Sequence, residues 1–167
     1  MVKVEESKAP TSFLPRRFFT VKGSAMSDVS AFNAFDAALV KAGIGQCNLV
    51  LASSILPRDA EEVPQMDLTP GTITFTVMAH VEGVSGETVS AGIGFGWLTQ
   101  GNEVKYGIVA ESYGIKDEER VDEELRERMR EMARIRGLLL NDVQTVVKSI
   151  KVTRKYGSVV AALIFLP

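Results

Sequence analysis

The clearest periodicity in the chain runs from Asp117 to Arg136, where Val121, Leu125, Met129, Met132 and Ile135 recur at spacings of three and four. Apolar residues at that interval fall on one stripe of a helix, and Glu and Arg fill the other positions. The pattern predicts an amphipathic helix stopped by Gly137. A second helical pattern covers Ala31 to Ala42, with Phe32, Phe35, Leu39 and Val40 as its apolar stripe. Ser30 stands where an N-cap is needed, and Gly43 where a left-handed residue closes a helix. Elsewhere the pattern is that of strands. A first strand is expected from Phe13 to Val21, with Gly23 to Asp28 as a loop, and a short buried strand over 47–52 runs into Ser53 and Ser54. Longer strands follow at about 72–82, 87–98, 104–112, 142–153 and 158–166, with turns at Val84-Ser85-Gly86, Gln100-Gly101-Asn102 and Tyr156-Gly157. Pro57 to Pro70 is a long, proline-punctuated connection, of a length that usually carries function. Runs of strands with two helices set apart from them indicate an α+β fold with mostly antiparallel sheet.

Composition narrows this little. The 167 residues suit one domain, expected over 12–167 behind a flexible polar arm at 1–11. A formal net charge of −2 gives no basic footprint for nucleic acid. No apolar run approaches the roughly 20 residues that cross a bilayer, and the opening residues lack the apolar core of a signal peptide. The single cysteine, Cys47, can form no disulfide within the chain and fits a reducing compartment. The expectation is a cytoplasmic protein.

Few residues invite chemistry. Gly92, Gly94 and Gly96 lie within an alternating strand pattern and not at a strand-to-helix turn, so close packing between sheets explains them better than phosphate binding. His80 is the only histidine, which leaves neither a serine–histidine triad nor a multi-histidine metal site to build. Cys47 reads as a buried structural thiol, and the acidic run from Asp117 to Glu124 as a solvated helix start favoured by the macrodipole. Ser53-Ser54 ends an apolar strand and opens the proline-rich connection. A strand exit is a place where strain can drive a serine hydroxyl onto the preceding carbonyl, although paired serines are as readily a plain turn.

The ordered set Asn33-Ala34-Phe35-Asp36-Ala37-Ala38-Leu39, Ala42-Gly43-Ile44-Gly45, Asn48-Leu49, Ser53-Ser54-Ile55-Leu56-Pro57, Pro70-Gly71, Ser85-Gly86-Glu87-Thr88-Val89-Ser90-Ala91 and Ala110-Glu111 resembles the pyruvoyl-dependent arginine decarboxylases from Phe13 to the C-terminus. The resemblance implies a four-layer αββα sandwich with two main helices. It also implies self-cleavage between Ser53 and Ser54 into a β chain, 1–53, and an α chain, 54–167. Ser54 would attack the Ser53 carbonyl, and its remnant would become a covalent pyruvoyl group, with no metal and no pyridoxal phosphate. Such a ketone can condense with a substrate amine and accept electrons as carbon dioxide leaves.

Residue by residue, the resemblance gives Asn48 the role of polar donor to the oxyanion formed during cleavage. It makes Glu111 the proton donor, whose burial should raise its pKa. Asp36 and the new Ser53 carboxylate would bind the guanidinium of arginine, with Leu39, Gly45, Cys47 and Ile55 as pocket walls. Cys47 stands where a branched aliphatic residue is expected. A homotrimer of αβ protomers, with active sites between neighbours, is implied in the same way. Decarboxylation of histidine, lysine or ornithine, or a non-catalytic binding protein on the same fold, are the competing readings.

Overall fold

Nine strands pair into two sheets in the computed structural model, which describes residues 13–167. The arm expected over 1–11 lies outside those residues. The elements are β1 (Arg17–Ser27), α1 (Ala31–Lys41), β2 (Asn48–Leu51), β3 (Ile55–Leu56), β4 (Glu61–Glu62), β5 (Ile73–Val84), β6 (Thr88–Gln100), β7 (Glu103–Gly114), α2 (Glu118–Arg136), β8 (Leu139–Lys151) and β9 (Tyr156–Leu166). One sheet has the order β2-β5-β9-β1-β4 and the other β3-β7-β6-β8. Pairing is antiparallel except for β1 with β4 and β2 with β5.

Side-chain alternation divides the core into three layers of contact. Along β9, Val159, Ala161, Leu163 and Phe165 point between the sheets, while Val160, Ala162, Ile164 and Leu166 point toward α1. Strand β6 sends Val89, Ala91, Ile93 and Phe95 into the same inter-sheet core, where Phe95 meets Phe18 edge to face at 5.3 Å. Helix α2 covers the other face of the second sheet through Val121, Leu125, Met129 and Ala133. The layers are therefore helix, sheet, sheet, helix: the αββα sandwich.

Several local expectations are corrected by packing. The exposed Phe32 and Val40 show that α1 does not bury a large-residue stripe; it buries Ala34 and Ala38 instead. Small residues let the helix sit directly on β1 at Gly23, which explains why 23–27, expected as a loop, continues the strand. A Cβ on Gly23 would lie 2.3 Å from the Ala38 carbonyl oxygen and 2.8 Å from the Ala42 nitrogen. Because both neighbours are backbone, Gly23→Ala is expected to destabilise the fold by about 1–3 kcal/mol, read as a lower urea midpoint. Gly92 and Gly94 likewise serve α2, not sheet-to-sheet contact: Cβ atoms there would meet Val121, Leu125 and Met129.

In α2, Ala133 takes the buried place expected of Ile135, which is 68% exposed. Strand β2 is not buried: Leu51 is 65% exposed, because β2 is an edge strand paired only with β5. The turn expected at Tyr156-Gly157 falls earlier, over 152–155, where Asp28 accepts from the Arg154 side chain and the Lys155 amide. Caps behave as expected. Ser30 accepts from the Asn33 amide, and Gly137 ends α2 with φ 64°. No helix among the described residues is long and apolar enough to cross a membrane.

Candidate active site

The chain leaves β2 at Ala52, whose amide still donates to Thr76 O, and crosses from the first sheet to the second. It arrives as β3, only two residues long, paired with β7 through Ile55 opposite Ile108 and Leu56 opposite Gly107. Between these anchors stands the Ser53-Ser54 pair. Ser54 is fixed by its carbonyl oxygen, which accepts from the Val109 amide at 2.9 Å. Two residues along the same strand is Glu111.

Successive residues here look into different clefts. Ser54 is half-buried and lines a cavity of about 770 Å³ together with Val109, Ala110, Glu111, Arg128 and Met132. Ser53 and Ile55 line a second, larger cleft beside Arg17, Phe75 and Tyr106. The peptide bond joining the two serines thus lies where the two spaces meet.

Glu111 shares its strand face with Val109, because the two are two residues apart on β7. Val109 is fully buried in the inter-sheet core, whereas Glu111, further along, is half-buried at the cavity. Burial pushes its carboxyl above the ordinary glutamate range, and the Arg128 guanidinium pulls in the opposite direction. A half-buried acid with a raised pKa keeps its proton at pH values where an exposed glutamate has lost it.

Arg128 is the residue of this region that sequence reasoning missed. It donates to the Glu111 main-chain oxygen and approaches Glu124 Oε2 at 3.7 Å. Glu124 itself accepts from Lys116 Nζ and Ser112 Oγ, each at 2.6 Å, and these bonds hold its carboxyl down to about 2. Glu124 and Arg128 stand four residues apart on α2, the spacing of a helix ion pair, and nothing in that spacing signals that the pair reaches β7.

The other expected site residues lie apart from Ser54 within one chain. Asp36 is exposed on α1 and Leu39 is partly packed against the core under that helix. Gly45 and Cys47 are in the connection after α1, and both are partly buried. The free thiol is therefore not the fully buried one expected. Asn48 opens β2 and donates through Nδ2 to Gly71 O at 3.0 Å. Ser53 lies five positions further along the chain, a span of up to about 16 Å. None of these five residues lines the Ser54 cavity. His80 stacks on Phe35, with ring centroids 4.7 Å apart, and stands 3.8 Å from Glu82, away from the serine pair.

A four-layer αββα sandwich, with a serine pinned at a strand exit beside a half-buried acid, defines the class of protein in hand. The family follows from comparison. The sequence model of the pyruvoyl-dependent arginine decarboxylases matches residues 17–167, and the chain belongs to that family. It is 39% identical over 153 residues to the pyruvoyl-dependent arginine decarboxylase of Methanopyrus kandleri, covering 91% of this chain and 97% of that one. The protein of the same description from Pyrococcus furiosus is 37% identical over 139 residues, 81% of this chain and 85% of its own. That from Methanocaldococcus jannaschii is 32% identical over 134 residues, 80% and 79% respectively.

A covalent pyruvoyl group is the prosthetic group of this family. The residues present fit one at position 54. The backbone on the C-terminal side of the serine is tethered to β7, while Ser53, on the other side, is exposed.

Proposed function

We propose that the chain cuts itself between Ser53 and Ser54 and then decarboxylates L-arginine to agmatine and carbon dioxide. The observation that carries this reading is the tether from Ser54 O to Val109 N, which holds the serine at the mouth of the cavity that Glu111 lines. Cleavage begins as Ser54 Oγ attacks the Ser53 carbonyl carbon, exchanging the peptide bond for an ester and freeing the Ser54 nitrogen as an amine. Loss of the Ser54 Cα proton then expels residues 1–53 with a terminal carboxylate. Hydrolysis of the remaining enamine releases ammonia and leaves a ketone at the head of 54–167. The pyruvoyl group so formed supplies a carbonyl electrophile and an electron sink.

The chain's own residues do the rest. Glu111 holds the proton that returns to the substrate carbon after carbon dioxide leaves. Asp36 and the new Ser53 carboxylate pair with the guanidinium, whose planar fork matches carboxylates. Leu39, Gly45, Cys47 and Ile55 wall the side-chain pocket, and Asn48 donates to the oxyanion during cleavage. Asp36, Leu39, Gly45, Cys47 and Asn48 do not line the Ser54 cavity of their own chain, so in this reading a neighbouring copy supplies them. A homotrimer of cut protomers meets that need. The unpaired thiol of Cys47 suits a cytoplasmic setting.

The test is intact mass together with carbon dioxide release from arginine, lysine, ornithine, histidine and aspartate. Pieces of 1–53 and 54–167 and a preference for arginine are expected; an aged preparation that stays whole, or is inert toward arginine, sinks the proposal. Asp36→Asn is expected to raise KM for arginine about 10–100-fold, the worth of a charged hydrogen bond, with cleavage intact. An unchanged KM would remove Asp36 from the pocket.

A further inference from the structure

Strand β3 covers only part of the free edge of β7. Its pairing ends at Ile108, and the last bond from that side is Val109 N to Ser54 O. Main-chain groups of alternate residues point to the same edge, so the N–H and C=O of Glu111 face the side that β3 has vacated. An edge carbonyl left there would have only water for a partner. Arg128, reaching over from α2, donates to that carbonyl instead. Its guanidinium is held from behind by Glu124 at 3.7 Å, and Glu124 is held by Lys116 and Ser112 at 2.6 Å.

We propose that Arg128 is a positioning residue for Glu111, clamping the acid's own backbone at the open edge of β7. The inference rests on the function proposed above only for its catalytic meaning; the clamp itself is a property of the uncut chain.

One chain of contacts links the helix to the acid. Ser112 and Lys116 fix Glu124, Glu124 steadies the Arg128 fork, and the fork sets where the Glu111 main chain lies relative to Ser54. The same guanidinium brings a fixed positive charge to the carboxyl. Among the described residues, other charges reach the cavity only from α2, as Glu127, Arg130, Glu131 and Arg134. Strand β6 sets Ile93 opposite Glu111, and the inward face of β5 offers Phe75, Val77, Ala79 and Val81, all uncharged. Of these charges, Arg128 alone opposes the upward push of burial on Glu111. Removing it frees burial to act alone, so the Glu111 midpoint must rise.

The experiment is a carboxyl titration by 13C NMR in the full-length Ser54→Ala chain, with Glu111 assigned by the resonance lost in Glu111→Gln. Arg128→Gln is expected to raise the Glu111 midpoint by about half a pH unit or more. Arg128→Lys keeps the charge without the fork, and its midpoint should fall between the other two. In the processed enzyme, the alkaline limb of the kcat profile should move upward in the same order. A glutamine midpoint equal to that of wild-type Arg128 overturns the proposal. Should the glutamine variant not fold, a lysine midpoint equal to wild type overturns it equally. Inertness of the processed wild type toward arginine counts against the proposed function alone, because the titration needs neither cleavage nor turnover.

Discussion

Ser54→Ala yields one uncut chain that releases no carbon dioxide from arginine, the largest effect expected of any single change. Two separate losses converge on it. Alanine has no hydroxyl to attack the Ser53 carbonyl, so no ester forms and residues 1–53 stay covalently joined to 54–167. With no cut there is also no ketone at position 54, where the proposed function places the family's prosthetic group. The fold should be spared, since Ser54 holds β7 through its main-chain oxygen and not its side chain. Intact mass should therefore show a single species while the unfolding midpoint stays near that of the wild type. A cut Ser54→Ala chain, or one that still turns over arginine, would refute the assignment of Ser54.

Glu111→Gln is expected to leave cleavage intact and lower kcat by about 10²–10⁴-fold, the span of positioned general-acid catalysis, or about 3–5 kcal/mol of barrier. The amide keeps the shape and loses the proton. In the wild type the sign of the pH dependence follows from burial. Burial raises the Glu111 pKa, so its protonated form persists above the range of an exposed glutamate, and kcat is expected to fall as pH climbs through that raised value. The glutamine variant should lose this alkaline limb along with its rate. Steady-state kinetics across pH checks both; a variant that keeps full kcat and the same limb would remove Glu111 from the role.

How far the sequence could be read depended on what each signal encodes. Caps were legible because they act within a few residues: Ser30 with Asn33, and Gly137 at its own φ. The alternation of β6 and β9 was legible as strand, but not which face met which layer. The glycines at 92 and 94 show the difficulty, since their spacing says that something approaches closely and only the tertiary arrangement says that it is α2. The α1 stripe misled because the largest apolar side chains, Phe32 among them, are not those buried when a helix must lie close on a strand; alanines are. Ser53, Ser54 and Glu111 were picked out through an ordered likeness to a family, and so was Asp36, which does not line the Ser54 cavity of its own chain. Arg128 was not, because its partner is a main-chain oxygen, and a main-chain oxygen leaves no mark on sequence.

The strand order has a further consequence if the backbone is severed as proposed. Residues 1–53 contribute β1, α1 and β2, while β9 and β4, which flank β1, belong to 54–167, as does β5 beside β2. The eleven register pairs of β1 with β9 weave the shorter piece through the middle of the longer one's sheet. The proposed processing would therefore turn a single-molecule folding problem into a two-component one. The maturing chain can fold as one body before the scission, but the finished product, once unravelled, must find its lost half by diffusion and can no longer remake the bond that introduced them.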